Sequence, residues 1–213
     1  MIRRTHEVTY VSEVARHAKG RKRRQDIIDA AAALLREGGP TAVTHRAVAA
    51  RAECSLSATT YYFSGLEDLL AEAGAQNIDS WATRAERVAA ESQEEPPPAT
   101  VEQCVSLLLR ACLPAFGSLE NHYLQLVAAS QSPSVASAYR HGRARLDQAL
   151  DTILVAARCD IPAPIVSAVV DGAAVVALSE GRDIRATAHD LLVSVLLRGC
   201  NSPWARQAAC RNT

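Results

Sequence analysis

Apolar residues recur along nearly the whole chain at helical spacing, and the interruptions fall at Gly, Pro and capping residues. Ile27, Ile28, Ala31, Leu34 and Leu35 form a core-facing stripe that predicts a first helix over about Arg24–Glu37, stopped by Gly38-Gly39-Pro40. Residues 1–20 show no such periodicity and are expected to form a disordered extension. After the first helix, Thr44 is placed to cap a short helix, with Val43 and Val48 as a hydrophobic staple. Glu53-Cys54-Ser55 makes a turn, and Ser55 can cap a second short helix through about Tyr61. Ser64-Gly65-Leu66-Glu67 reads as a capping box opening a long helix to about Ala90, lined by Leu66, Leu69, Leu70, Ala73, Trp81, Ala85 and Val88. Glu94-Glu95-Pro96-Pro97-Pro98 breaks it.

Five further helices are expected. Thr100-Val101-Glu102-Gln103 opens one that ends near Pro114, another covers about Leu119–Ala129, and Ser132-Pro133 caps a long one reaching about Arg158. Pro162 and Pro164 precede a final pair, about Ile165–Glu180 and Ala186–Arg198, with Gly199 as C-cap. Both final helices are apolar around more than one face, which suits burial on two sides, one of them against a second copy of the chain. The pattern is all-α throughout. A composition of 48% hydrophobic and 4% aromatic residues, with Ala and Leu prominent, supports helices over strands.

The formal net charge of zero conceals a division. Residues 1–64 hold 11 Lys+Arg against 6 Asp+Glu, and residues 65–213 hold the remaining 12 against 17. A basic N-terminal third on an acidic body suits a nucleic-acid-binding head carried by a separate domain. The run Arg21-Lys22-Arg23-Arg24 leads into the first helix and can touch phosphates or the minor groove, or stand as a solvated charge run. The second short helix carries Leu56, Ser57, Ala58, Thr59 and Thr60, slim side chains without acid, as a helix entering the major groove requires. Neither an export-signal core nor an apolar run of about 20 residues is evident, so a cytoplasmic protein with no membrane association is expected. The six cysteines, Cys54, Cys104, Cys112, Cys159, Cys200 and Cys210, contain no CxxC pair and are expected as free thiols; Cys104 and Cys112, two helical turns apart, are the alternative redox pair.

Thr44, Ala49-Ala50-Arg51-Ala52, Ser55–Thr60, Tyr61-Tyr62-Phe63 and Glu67-Asp68-Leu69-Leu70 together resemble the TetR family of bacterial regulators, in particular a variant with a Thr-Tyr-Tyr-Phe run. The resemblance extends from Asp26 to Leu70 and departs from the family at two positions. Glu53 stands where the family usually has Gly, so a left-handed turn there costs about 1 kcal/mol. Leu66 stands where many members carry a phosphate-binding Lys.

Combined with the pattern, the resemblance implies a three-helix DNA-binding domain at 21–64 and a larger helical ligand-binding and dimerisation domain at 65–200, followed by a tail at 201–213. Candidate DNA-binding residues are Arg21, Lys22, Arg23, Arg24, Thr44, His45, Arg46, Ser55, Leu56, Ser57, Ala58, Thr59, Tyr61 and Tyr62. Thr44, His45 and Arg46 sit where helix N–H groups attract phosphate, and residues 55–59 are the candidates for base edges. One of the two tyrosines can instead belong to the core, and Phe63 does. In the body, Trp81, Cys104, Leu108, Phe116, His122, Tyr123, Leu126, Tyr139 and Asp171 are candidates for a small-molecule pocket, with ordinary packing as the alternative for each. No metal-ligand spacing, phosphate-binding Gly loop or nucleophile–base motif points to an enzyme, a metal or a cofactor. The expected function is a homodimeric regulator, assembled through the last two helices. It binds a palindromic operator in double-stranded DNA and is a repressor released by an unidentified small molecule. The alternative is a DNA-binding regulator without such a ligand, acting through protein partners or as an activator.

Overall fold

The computed structural model describes the backbone of residues 3–115, 118–128, 133–200 and 204, and side chains from residue 17 onward other than 128, 134 and 135. Nine α-helices and one 3-10 turn make up the regular structure of these residues. The helices are α1 (Arg3–Gly38), α2 (His45–Arg51), α3 (Leu56–Tyr62), α4 (Leu66–Glu94), α5 (Val101–Cys112), α6 (Leu119–Ala128), α7 (Pro133–Ala156), α8 (Ala163–Glu180) and α9 (Ile184–Gly199).

The first correction concerns α1. Its start was expected near Arg24, with a disordered segment before it, but the helix already runs from Arg3. Between Arg3 and Glu37 the chain contains no Pro and a single Gly, Gly20, so nothing in the backbone stops the helix from extending N-terminally.

A small head is built from α1, α2, α3 and the first turns of α4. Ile27, Ile28, Ala31 and Leu35 of α1 pack with Val43, Val48 and Phe63, and α4 adds Leu69 and Ala73, which lie beyond the boundary expected at residue 64. Arg51 forks onto the Glu37 carboxylate with two bonds of 2.6 Å and so ties α2 to the end of α1. Leu66, at the position where the family often has Lys, packs half-buried against this core.

The body's core lies among α4, α5, α7, α8 and α9. The most extensive helix pairing is α4 with α7. At their crossing Gly142 lets the helices close, since a Cβ there would meet Ile78 Cγ1 at 2.5 Å. On the outer side of the same crossing, Arg145 of α7 bonds to Asp79, Thr83 and Glu86 of α4. Helix α8 has the length and mean hydropathy (1.5) that a membrane span also shows, a coincidence that no apolar run in the sequence was expected to produce. Its inner face, including Val166, Val170, Ala173 and Ala177, belongs to the body core, and Asp171 within it pairs with Arg143 at 2.7 Å.

Two caps differ from expectation. The box at residues 64–67 forms one residue later: Gly65 is the N-cap, and Asp68, not Glu67, accepts from both the backbone N–H and the hydroxyl of Ser64. Gly199 is the last residue of α9 rather than a left-handed cap, and a Cβ on it would meet Ile161. The left-handed glycine cap is Gly181, after α8. The tail from 201, Trp204 apart, and the expected cap Ser132 lie outside the described residues.

Candidate DNA-binding face and body cavity

The turn between α2 and α3 closes as a Schellman motif. Cys54 N–H donates to Ala49 O (3.0 Å), Glu53 N–H donates to Ala50 O (3.4 Å), and Glu53 takes the left-handed conformation with φ of 48°. The strain anticipated at this non-glycine residue is therefore present. Thr44 Oγ1 accepts from Ala47 N–H at 3.1 Å, and Ser55 Oγ accepts from Ala58 N–H at 3.2 Å, so both short helices carry the caps read from the sequence.

On α3 the exposed face consists of Leu56 (50% exposed), Ser57, Thr60 and Tyr61 (81% exposed), with Ser55 at its head. Ala58 and Tyr62 are half-buried, and Tyr62 stands edge-on to Tyr61 with ring centroids 5.0 Å apart. Thr59, expected among the base-contacting residues, is fully buried. Its hydroxyl donates to Leu56 O at 2.8 Å, so its 3.1 Å contact with His45 Nδ1 must have the histidine N–H as donor. Thr59 thus fastens α3 to α2, because it shares the i, i+4 face of the core residue Phe63. The same spacing places Thr60 outward, a residue expected on the groove-entering helix but not among its base-edge candidates.

The basic run divides in a similar way. Arg21 and Lys22 are exposed. Arg23 donates to Ala52 O at 3.3 Å, at the C-terminal end of α2. Arg24 pairs with Glu72 at 2.7 Å and lies 5.0 Å over the Phe63 ring, so both of these arginines hold the head together. Arg46 is exposed and His45 half-exposed at the start of α2.

In the body, a cavity of about 420 Å³ lies between the end of α1, the middle of α4, the segment after α5, α6 and α7. Trp81, His122 and Tyr139 give it aromatic walls, and Arg36, Asn77 and Arg84 its main polar groups. The His122 ring stands 5.7 Å from Trp81 and 5.2 Å from Tyr123, edge-on to both. Trp81 Nε1–H donates to Cys112 O at 2.8 Å, which fixes the indole. Burial first, and then the nearby Arg84 and Arg143 charges, lower the His122 pKa to about 4, so this ring is neutral near pH 7.

Of the expected pocket residues, Trp81, His122 and Tyr139 line the cavity. Cys104 and Leu108 are fully buried in the body core and Tyr123 nearly so, Leu126 is half-buried away from the cavity, and Asp171 is engaged by Arg143. Phe116 lies outside the described residues. Arg84, Asn77 and Arg36 were missed, because single polar residues on a helix read as surface. The available signal was their register: Asn77, Trp81 and Arg84 share one helical face.

The head and body meet at this cavity. Asn77 donates both to Ala32 O of α1 (3.2 Å) and to Gln125 Oε1 of α6 (3.0 Å), and Arg36 donates to Asn77 Oδ1 (2.5 Å). Asn121 of α6 also donates to Glu37 O at the end of α1.

The cysteines correct another expectation. Cys159 and Cys200 form a disulfide, with Cα atoms 4.5 Å apart across 41 residues of sequence. They come together because the segments that follow α7 and α9 meet, which no local spacing announces. Cys54, Cys104 and Cys112 are free, and burial pushes the Cys104 and Cys112 thiols up to about 12, which opposes the thiolate chemistry a redox pair needs.

A capped helix-turn-helix head on an all-helical body with a partly open cavity is an architecture of DNA-binding regulators. Residues 27–73 match the family model of bacterial regulatory proteins, tetR family. Solved structures of similar fold include a transcriptional regulator from Rhodococcus sp. Rha1, 22% identical, covering 84% of this chain and 97% of its own at a TM-score of 0.61. The multidrug binding protein EbrR, solved with ethidium, is 27% identical over 82% of this chain and 98% of its own, at a TM-score of 0.60. SmeT, the repressor of a Stenotrophomonas maltophilia multidrug efflux pump, is 18% identical over 85% and 92%, at a TM-score of 0.57. None of the curated proteins compared with the chain matches it.

Proposed function

We propose that the protein is a homodimeric transcriptional repressor whose hold on a palindromic operator is released by a small molecule bound in the body cavity. The observation that carries this reading is the shared wall between cavity and head. Arg36 lines the cavity from α1, and Asn77, also lining it, bonds α1 to α6. A ligand that moves Asn77 or α6 shifts the end of α1, and with it the angle at which the head is held, so the two states of the head differ in affinity for DNA. EbrR, whose structure holds ethidium, supports a ligand-responsive body.

The DNA-facing residues in this reading are Arg21, Lys22, Thr44, His45 and Arg46 for phosphates, with Ser55, Leu56, Ser57, Thr60 and Tyr61 facing the groove. A groove face without Arg or Asn relies on apolar contacts and DNA shape for part of its specificity. Dimerisation falls to α8 and α9. On α8, Ile165, Ala168, Gly172, Val175 and Val176 form an exposed stripe without charge, and Leu191 of α9 is exposed beside the same bundle.

Selection of random duplexes by the purified full-length protein tests the first half of the reading; the expected result is an enriched palindrome. Screening small molecules against that duplex tests the second. A ligand that saturates the cavity without changing operator affinity would sink the release mechanism and leave a ligand-independent regulator.

A further inference from the structure

We infer that the body cavity takes an oxyanion carried on a flat apolar frame, an aromatic carboxylate, sulfonate or phosphate, with Arg84 as its counter-ion; its regulatory consequence, though not the binding itself, rests on the effector reading above. Two arginines flank the Trp81–His122 pair, and their situations differ. Arg143 lies 5.3 Å from the Trp81 ring centroid and is neutralised by Asp171 at 2.7 Å. Arg84 lines the cavity, and its Nε and Nη2 are shut off from solvent without a hydrogen-bond partner among the described residues. None of the fourteen described residues lining the cavity is acidic, whereas three are arginines, Arg36, Arg84 and Arg87. Arg36 is exposed and donates to the neutral amide oxygen of Asn77, and Arg87 lies 3.8 Å from Glu91, so among the described residues Arg84 is the cavity arginine with buried N–H groups and no partner for them.

Buried guanidinium N–H groups without a partner are costly, and the cost is recovered when an oxyanion accepts from the fork that Nε and Nη2 form. Burial lowers the Arg84 pKa from its usual value, the direction expected of a cation held without a partner. The aromatic walls of Trp81, His122 and Tyr139 supply flat apolar contact, and His122, being neutral, adds no second charge. A cationic ligand would meet repulsion here without any carboxylate to offset it.

The test uses Trp81 as its own reporter. Full-length protein is titrated with 2-naphthoate, its neutral isostere 2-naphthamide, and ethidium, following quenching of Trp emission and confirming affinity by calorimetry. Naphthoate is expected to bind on the order of tenfold tighter than naphthamide, with ethidium weakest. Arg84→Gln should abolish the difference between naphthoate and naphthamide, and Arg84→Lys should restore part of it. Arg84→Gln should also raise the unfolding temperature of the ligand-free protein, since it removes an unbalanced charge. If that variant fails to fold, the three-probe comparison on the unmodified protein and the Arg84→Lys variant still decide. The inference is overturned if naphthamide or ethidium binds as tightly as naphthoate, if Arg84→Gln leaves naphthoate affinity unchanged, or if naphthoate, benzoate and inorganic phosphate all fail to bind at millimolar concentration. Naphthoate bound through Arg84 without effect on a selected duplex would uphold the anion site and defeat the effector reading. Failure of naphthoate to bind, together with release of the duplex by ethidium, would do the reverse.

Discussion

In the head, the hydroxyls near the proposed DNA-facing surface are bonded within a turn of their own positions: Thr44 to Ala47, Ser55 to Ala58, Thr60 to Ser57. In the body, polar groups are tied across long stretches of sequence: Asn77 to Gln125, Trp81 to Cys112, Arg143 to Asp171, Arg185 to the carbonyl of Pro114. Local closure fixes each of these hydroxyls, while Arg23, Arg24 and the His45–Thr59 contact tie the helices of the head to one another. Bonds between distant helices mean that anything entering between those helices must strain or remake them.

The contrast is most sharply broken at the surface of α8. Val175 is 59% exposed in the uncharged stripe. Val175→Glu should prevent dimerisation while leaving the head folded, and lower affinity for a selected palindrome by at least about 100-fold, since two linked heads bind far better than one. Sedimentation with duplex titration would show it; a dimer that persists with full affinity would place the interface elsewhere.

His122 tests the body alone. Its pKa falls from 6.5 to about 4, with burial the main cause, so between these values the unfolded chain binds a proton that the folded protein does not. Its contribution is present above pH 6.5 and lost as pH falls towards 4. His122→Gln should therefore flatten the acid side of the stability curve by about 2–3 kcal/mol. Parallel curves for the two proteins in urea titrations from pH 7 to pH 4 would contradict this.

Gly142→Ala should lower stability by about 1–3 kcal/mol, because the new Cβ overpacks the α4–α7 crossing. Ile78→Ala in the same chain should recover part of the loss, as read by thermal unfolding. In the head, Thr59→Val should cost about 1 kcal/mol by removing a buried hydroxyl that bonds to both His45 and Leu56. Leu56→Ala should change base preference at little cost in stability, and equal shifts in binding specificity from both variants would erase the distinction between inner and outer faces of α3. The smallest effect is expected at Glu53, whose positive φ suits glycine: Glu53→Gly should stabilise the protein by up to about 1 kcal/mol.

Much of this was legible in the order of residues. The caps Thr44, Ser55 and Thr100, the break at Gly38-Gly39-Pro40 and the helical body follow from interactions that reach only three or four residues along the chain. The paired roles within the basic run were not legible. Arg23 and Arg24 look like Arg21 and Lys22 until α2 and α4 are brought beside them. Thr59 and Thr60 are chemically identical neighbours, and their sorting into core and surface depends on the direction from which α2 packs.

The sequence by itself determined where most helices begin and end, the start of α1 apart, which faces are apolar, and that a helix-turn-helix head precedes a larger helical body. These are set by backbone hydrogen-bonding needs and by periodicity, both local. The tertiary structure alone decided which polar groups inside the body find partners. Arg143 meets Asp171 because α7 and α8 bring them together across 28 residues, and Cys159 meets Cys200 for the same kind of reason. Among the described residues Arg84 meets no carboxylate, and that too depends on packing: burial and charge pairing are properties of the space around a side chain, which sequence neighbours do not fix.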